Sequence, residues 1–260
     1  MAVELEKIEK IFEDLDKLLV KNTKIYVFGG AVLLYHKLKG STKDIDLVVR
    51  TKDEYISFTS ALDKLKFTVN KLEGAYLKFK LSGMYHKDDY RFDVFNNEIC
   101  EMMNLSKGMI KRSQIWYKYN YLEVYRLSLE DIFLLKSLTE REGDVVDSDA
   151  IITYGINWDI LMDEINKQIE SHNMPVWITD FASRLEKLEE KYQKISPVKK
   201  EVDLMVEEYY DYIELIQNLN EPKTYEELKK NTGIRDLKKV LLKHIKTNEI
   251  NLEKGKYKKT

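Results

Sequence analysis

Hydrophobic positions along the chain change their period several times, and each change predicts a change of element. Val3, Ile8, Ile11, Phe12, Leu15, Leu18 and Leu19 recur at helical spacing, which predicts an amphipathic helix over residues 3–20. The run Lys24-Ile-Tyr-Val-Phe28 is β-branched and aromatic and stops at Gly29-Gly30, which predicts a short strand and a turn. Residues 31–38 read as a helix, 44–49 as a second buried strand and 54–64 as another helix. Strand-like segments follow at 66–72, 76–81 and 90–95, separated by Glu73-Gly74 and by a polar stretch over 83–89, and residues 121–125 read as one more strand. Ser128 with Asp131 predicts a capped helix through Glu142, and amphipathic helices are expected over 158–170 and 177–193. Ser196-Pro197 opens a longer helix to about Asn218, which Pro222 closes.

Beyond Pro222 the grammar is different. Thr224 with Glu227 forms a capping box, Asn231-Thr-Gly233 a turn, and residues 234–247 a helix whose apolar side carries Leu237, Val240, Leu241 and Ile245. Residues 249–252 and 256–259 flank Glu253-Lys-Gly255 as a hairpin. Helix, turn, helix and hairpin is the layout of a winged helix. The expected fold is therefore α/β (α+β): a mixed sheet with helices over residues 1–127, a helical region over 128–220 and a winged-helix-like module over 221–260.

The 260 residues are 43% hydrophobic and 34% charged, enough apolar material for a real core and incompatible with wholesale disorder. Cys100 is alone, so neither an internal disulfide nor a thiolate zinc cage is available, and its mostly apolar neighbours suggest inert packing. The first 21 residues carry acids and bases throughout, unlike a signal peptide, and no long uncharged apolar run offers a membrane span, so a cytoplasmic location without membrane contact is expected. Net charge is −2, unevenly spread: residues 223–260 hold 12 Lys and Arg against 5 Asp and Glu. A basic tail on an acidic body suits a polyanionic partner, although lysine is abundant throughout.

The candidate chemistry sits around Gly29-Gly30 and Ser41-Thr-Lys-Asp-Ile-Asp-Leu47. On a strand, Asp44 and Asp46 would present two carboxylates to one face while Ile45, Leu47 and Val49 point to a core. Like charges this close repel unless a cation lies between them, and an all-oxygen donor pair suits Mg2+. In Arg91-Phe-Asp93-Val-Phe95, Asp93 shares a face with Arg91 and could supply the third carboxylate of a two-metal phosphoryl-transfer site. Asp88 and Asp89 read as solvated loop charges. His36, His86, His172 and His244 show no paired spacing. Tyr117, Tyr119, Tyr121 and Tyr125 alternate at strand spacing, as half-buried strand aromatics or as base-stacking rings.

Gly29-Gly30, Asp44-x-Asp46 and Asp93 together resemble the nucleotidyltransferase superfamily with the DNA polymerase β-like palm. The segment from Gly29 to Leu47 looks most like small prokaryotic nucleotidyltransferases, among them toxins of abortive-infection systems. Ser128 to Lys136, with Arg141, Asp144 and Asp147, is similar to the helix that follows the palm in those proteins, so the resemblance spans residues 20–165. It implies that Asp44, Asp46 and Asp93 bind Mg2+ or Mn2+ and that Asp93 orients or deprotonates an attacking hydroxyl. It further implies that Gly29, Gly30 and the hydroxyl of Ser41 or Thr42 hold a triphosphate, with Lys136 on its phosphates and Asp144 nearby. Lys43 and Arg91 are cations that the motif does not require; they could neutralise phosphate or pair with the carboxylates of an inactive relative. The implied activity moves a nucleoside monophosphate from a nucleoside triphosphate to an acceptor hydroxyl on RNA, protein or a small molecule. The implied partners are a tRNA-like acceptor at the basic tail and an antitoxin. The alternative is a catalytically inactive nucleotidyltransferase fold that binds nucleotide or nucleic acid as a regulatory module.

Overall fold

The computed structural model describes residues 4–70, 82–99, 103–171 and 176–260. These fall into two units, one of residues 1–173 with 183–196, the other of residues 174–182 with 197–260. The strand expected at 76–81 and the packing of Cys100 lie outside the described residues.

The first unit is a seven-stranded mixed sheet with helices. In chain order its elements begin with α1 (Leu5–Asp16), β1 (Thr23–Phe28), α2 (Gly30–Tyr35), β2 (Ile45–Val49) and α3 (Lys52–Lys64). They continue with β3 (Thr68–Asn70), β4 (Gly83–Lys87), β5 (Tyr90–Asn96), the two-residue pair β6 (Glu98–Ile99) and β7 (Met103–Asn104), and α4 (Lys107–Arg112). The strands β8 (Gln114–Lys118) and β9 (Leu122–Arg126) precede α5 (Leu129–Lys136), α6 (Glu142–Tyr154) and α7 (Trp158–Ser171). Helix α8 (Trp177–Tyr192) contributes residues to both units.

The sheet order is β3-β4-β5-β2-β1-β9-β8. Strand β2 runs parallel to β5 and antiparallel to β1, and β1 runs parallel to β9. The central strands are buried almost throughout: Ile25, Val27, Leu47, Val48, Val49, Phe92 and Val94 have no more than trace exposure. Such near-continuous apolar runs are what strands covered on both faces require. Phe92 anchors an aromatic cluster, its ring centroid 6.1 Å from Phe12 on α1, 5.8 Å from Phe58 on α3 and 5.5 Å from Phe67. The N-terminal helix packs through Ile8, Ile11, Phe12 and Leu15, as its stripe predicts.

Three local expectations are corrected. The polar stretch 83–89 is not a loop: residues 83–87 form β4, paired antiparallel with β5 from Gly83↔Val94 to Lys87↔Tyr90. Asp88 makes the tight connection in the left-handed region at φ 51°, a conformation that Asp tolerates. The helix opened by Ser128 ends at Lys136 rather than Glu142. There Arg184 Nη2 donates to the carbonyls of Lys136 and Thr139, partners that continued helix would have supplied internally. Residues 142–154 then form a separate helix. Strand β8 is an addition; the tyrosines at strand spacing divide between β8, β9 and the turn joining them.

In the second unit, α9 (Lys199–Asn218), α10 (Tyr225–Asn231), α11 (Leu237–Lys246), β10 (Ile250–Glu253) and β11 (Lys256–Lys259) follow one another. Thr224 and Glu227 make the reciprocal capping box. Leu215, Leu219, Leu228, Ile234, Leu237, Val240, Leu241 and Ile250 close a core of its own. No helix among the described residues is long and apolar enough to cross a membrane.

Truncating Phe92 to Ala should lower the stability of the first unit by about 3–5 kcal/mol, because the cavity is walled by rings that cannot collapse into it. Denaturant melts of wild type and variant check this.

Candidate active site

Gly29 ends β1 with φ 66° and ψ −145°, a conformation closed to other residues without strain. Phe28 is the register partner of Asp46 on β2, and Asp46 is in turn the partner of Asp93 on β5. The glycine therefore lies against the Asp46 carboxylate, and a Cβ at position 29 would overlap that carboxylate. A Cβ at position 30 would equally overlap the hydroxyl of Thr42. Both glycines are thus required by close approach, for the acid at one position and for the loop before β2 at the other.

Asp44 stands one residue before β2 and is half-buried; Asp46 lies on the strand; Asp93 is 6% exposed. Burial, reinforced by the charges of Asp44 and Asp93, pushes the Asp46 carboxyl well above its ordinary 3.8, against the opposing pull of Lys136 and Arg141. Burial also raises Asp93, even though Arg91 pulls it down, and Asp44 adds to the rise. Arg91 grips Asp93 in a two-pronged contact, Nε to Oδ1 at 2.8 Å and Nη2 to Oδ2 at 2.5 Å.

The helix motif folds into a charge network beside these acids. Lys136 Nζ, 11% exposed at the end of α5, donates to Asp144 Oδ1 at 2.7 Å and lies 2.7 Å from Asp147 Oδ2 on α6. Burial alone would lower the Lys136 pKa, but the two carboxylates outweigh it and the net shift is upward. Burial works to raise Asp144, and Lys136, Thr139 and Arg141 together reverse that and hold it below 3.8. Arg141 Nε donates to Asp144 Oδ2 at 2.7 Å, and its charge is also felt by Asp44 and Asp46. Lys39 Nζ reaches both oxygens of Asp147, at 3.1 and 2.9 Å.

Of the other expected residues, Thr42 is 4% exposed and donates its hydroxyl to the Asp44 carbonyl at 3.0 Å, fixing the loop that carries the acid. Ser41 is half-buried and Lys43 exposed. Two contributors escaped sequence reasoning. Lys39 looked like any surface lysine. Arg184 is 2% exposed and clamps the turn after Lys136, while its Nε and Nη1 have no hydrogen-bond partner. The signal for it was a charge four residues before Leu188 on an otherwise apolar helical stripe.

Asp44, Asp46 and Asp93 are a hard-oxygen donor set whose mutual repulsion a divalent cation would relieve, so their chemistry fits Mg2+. Their present arrangement is not a closed cage. Among the described residues no three His, Cys, Asp or Glu stand together closely enough to hold an ion, and both oxygens of Asp93 are taken by Arg91.

The family model for nucleotidyltransferases of unknown function (DUF6036) matches residues 6–176, about two-thirds of the chain, and includes every one of these acids. The protein belongs to this family of nucleotidyltransferases. No curated protein matches it in sequence.

Two outcomes follow from the electrostatics. Because the Asp46 pKa is raised, the folded state holds its proton more tightly than the unfolded chain, so stability falls as pH rises through that window. In chelator at neutral pH, Asp46→Asn should therefore raise the melting temperature, by about 2–4 °C for each kcal/mol relieved; differential scanning calorimetry reads it. Lys136→Met should have the opposite sign, costing about 3–5 kcal/mol because it leaves Asp144 and Asp147 buried without their shared cation, as urea midpoints would show.

Proposed function

We propose that the protein is a metal-dependent nucleotidyltransferase that moves a nucleoside monophosphate from a nucleoside triphosphate to an acceptor hydroxyl and releases pyrophosphate. The observation that carries this reading is the in-register pairing of Asp46 with Asp93 beside the left-handed Gly29. It puts carboxylates next to backbone that a phosphate can approach closely. Asp44 and Asp46, joined by Asp93 once Arg91 releases it, would hold Mg2+ or Mn2+. When bound, the ion supplies neutralisation of the triphosphate charge and acidification of the attacking hydroxyl.

The chain's own part is positioning. Gly29 and Gly30, with the hydroxyl of Ser41, border the space for the triphosphate, and Thr42 fixes the loop bearing Asp44. Lys136, Arg141 and Lys43 offer positive charge to the phosphates, and Asp144 holds Lys136 and Arg141 in place. Asp93 Oδ accepts the proton of the acceptor hydroxyl as its oxygen bonds to the α-phosphorus and the bond to pyrophosphate breaks. The helix pair and hairpin of residues 221–260 are read as a winged-helix-like module. The exposed lysines of its α11 would contact an RNA acceptor such as tRNA. Kinship with toxin-type members would make a cognate antitoxin the natural partner.

One observation favours a second reading. Arg91 donates to both oxygens of Asp93, the pairing expected of an inactive relative that binds nucleotide or nucleic acid without turnover.

Incubating the protein with Mg2+, each labelled triphosphate in turn, and total RNA and protein should move label into an acceptor band, and Asp44→Ala/Asp46→Ala should abolish the transfer. Absence of transfer from every triphosphate even with a small-molecule cell extract added as acceptor, together with nucleotide binding by calorimetry, would select the inactive reading.

A further inference from the structure

At the β8 edge of the sheet the register with β9 slips: Ile115 pairs with Tyr125 and Tyr117 with Val124, leaving Trp116 as an extra residue in a bulge. A bulge bends the strand and re-aims the side chain it carries. Here it lays Trp116 against Tyr117, with ring centroids 5.2 Å apart and planes at 18°, and against the edge of Tyr35 at 5.5 Å. His36 continues the row to Tyr154, 5.6 Å away. Tyr35 is 36% exposed and Tyr154 58% exposed, so both reach solvent, while Trp116 is half-buried.

The charge beside these rings is positive. Arg126 lies over Tyr35 at 4.1 Å and donates only to the neutral acceptors Ile115 O and Gln114 Oε1. Among the described residues it has no carboxylate within ion-pair distance. Burial, with Arg126 second, lowers the pKa of His36.

The location connects this row to the acids. Tyr35 ends α2, whose first residue is Gly30, about 7.5 Å away at the helical rise. Tyr154 ends α6, whose first turns carry Asp144 and Asp147. The row thus occupies the far ends of two helices that start at the candidate active site.

Rings in series with an unpaired guanidinium match an unpaired polynucleotide, whose bases offer π-faces and whose backbone offers negative charge. We propose that Tyr35, Trp116, Tyr154 and Arg126 form a stacking platform for a single-stranded nucleic acid, which it holds next to the acids as the acceptor strand. That the strand is an acceptor rests on the nucleotidyltransferase reading; that it binds here does not.

The test is fluorescence anisotropy of a short unstructured labelled RNA, and of the same sequence as a duplex, with the full chain in chelator and without triphosphate. Wild type should prefer the single strand. Trp116→Ala and Tyr154→Ala should each weaken binding about tenfold, the usual worth of one stacked base, with Trp116→Phe within threefold of wild type. Binding is read in chelator and without triphosphate, so that loss of transfer and loss of the platform are separate results. Tyr154 is exposed, so its variant decides the matter even if Trp116→Ala fails to fold. No strand binding by wild type, equal affinity for duplex, or unchanged affinity in both aromatic variants would overturn the proposal. The last result is the one expected if the strand sits on the basic C-terminal helices or if a protein covers this edge.

Discussion

The pairing of β2 with β5 sets Asp46 directly against Asp93 inside a sheet whose other central residues are apolar. Two carboxylates in adjacent register, with Asp44 a residue away, repel one another. The surrounding charges answer to this constraint: Arg91 closes on Asp93, while Lys136 and Arg141 draw on Asp46 from the helical side. A core packed around Phe92 holds the strands together despite the repulsion, which is why the acids can be kept close without being neutralised by sequence neighbours alone.

The cations are held as firmly as the acids. Lys136 is fixed by Asp144 and Asp147, Asp147 by Lys39, and the turn following Lys136 by Arg184. A buried guanidinium with two unpartnered nitrogens is costly. Its placement beneath this turn ties that cost to the position of the lysine. Rigidity on both sides of the glycine turn is what phosphoryl transfer requires, because its catalysis is mostly positioning and charge stabilisation.

The second unit stands apart in its construction. Its helices and hairpin enclose a separate aliphatic core, and the family match ends at residue 176, before α9 begins. The lysine-rich α10 and α11 therefore lie outside the part matched to nucleotidyltransferases.

Local grammar determined much by itself. The amphipathic stripe of α1, the β1–Gly29-Gly30–α2 passage, the capping boxes and the two acidic strands were legible because each depends on neighbours a few residues away. The family kinship was legible in Gly29-Gly30, Asp44-x-Asp46 and Asp93 for the same reason. Tertiary structure decided the rest. Residues 83–87 became a strand because β5 offered them a partner, and α5 stopped at Lys136 because Arg184, 48 residues on, took its carbonyls. The in-register meeting of Asp46 with Asp93 depends on pairing between distant segments. Pairing register is set by the packing of the whole sheet, which no local pattern encodes.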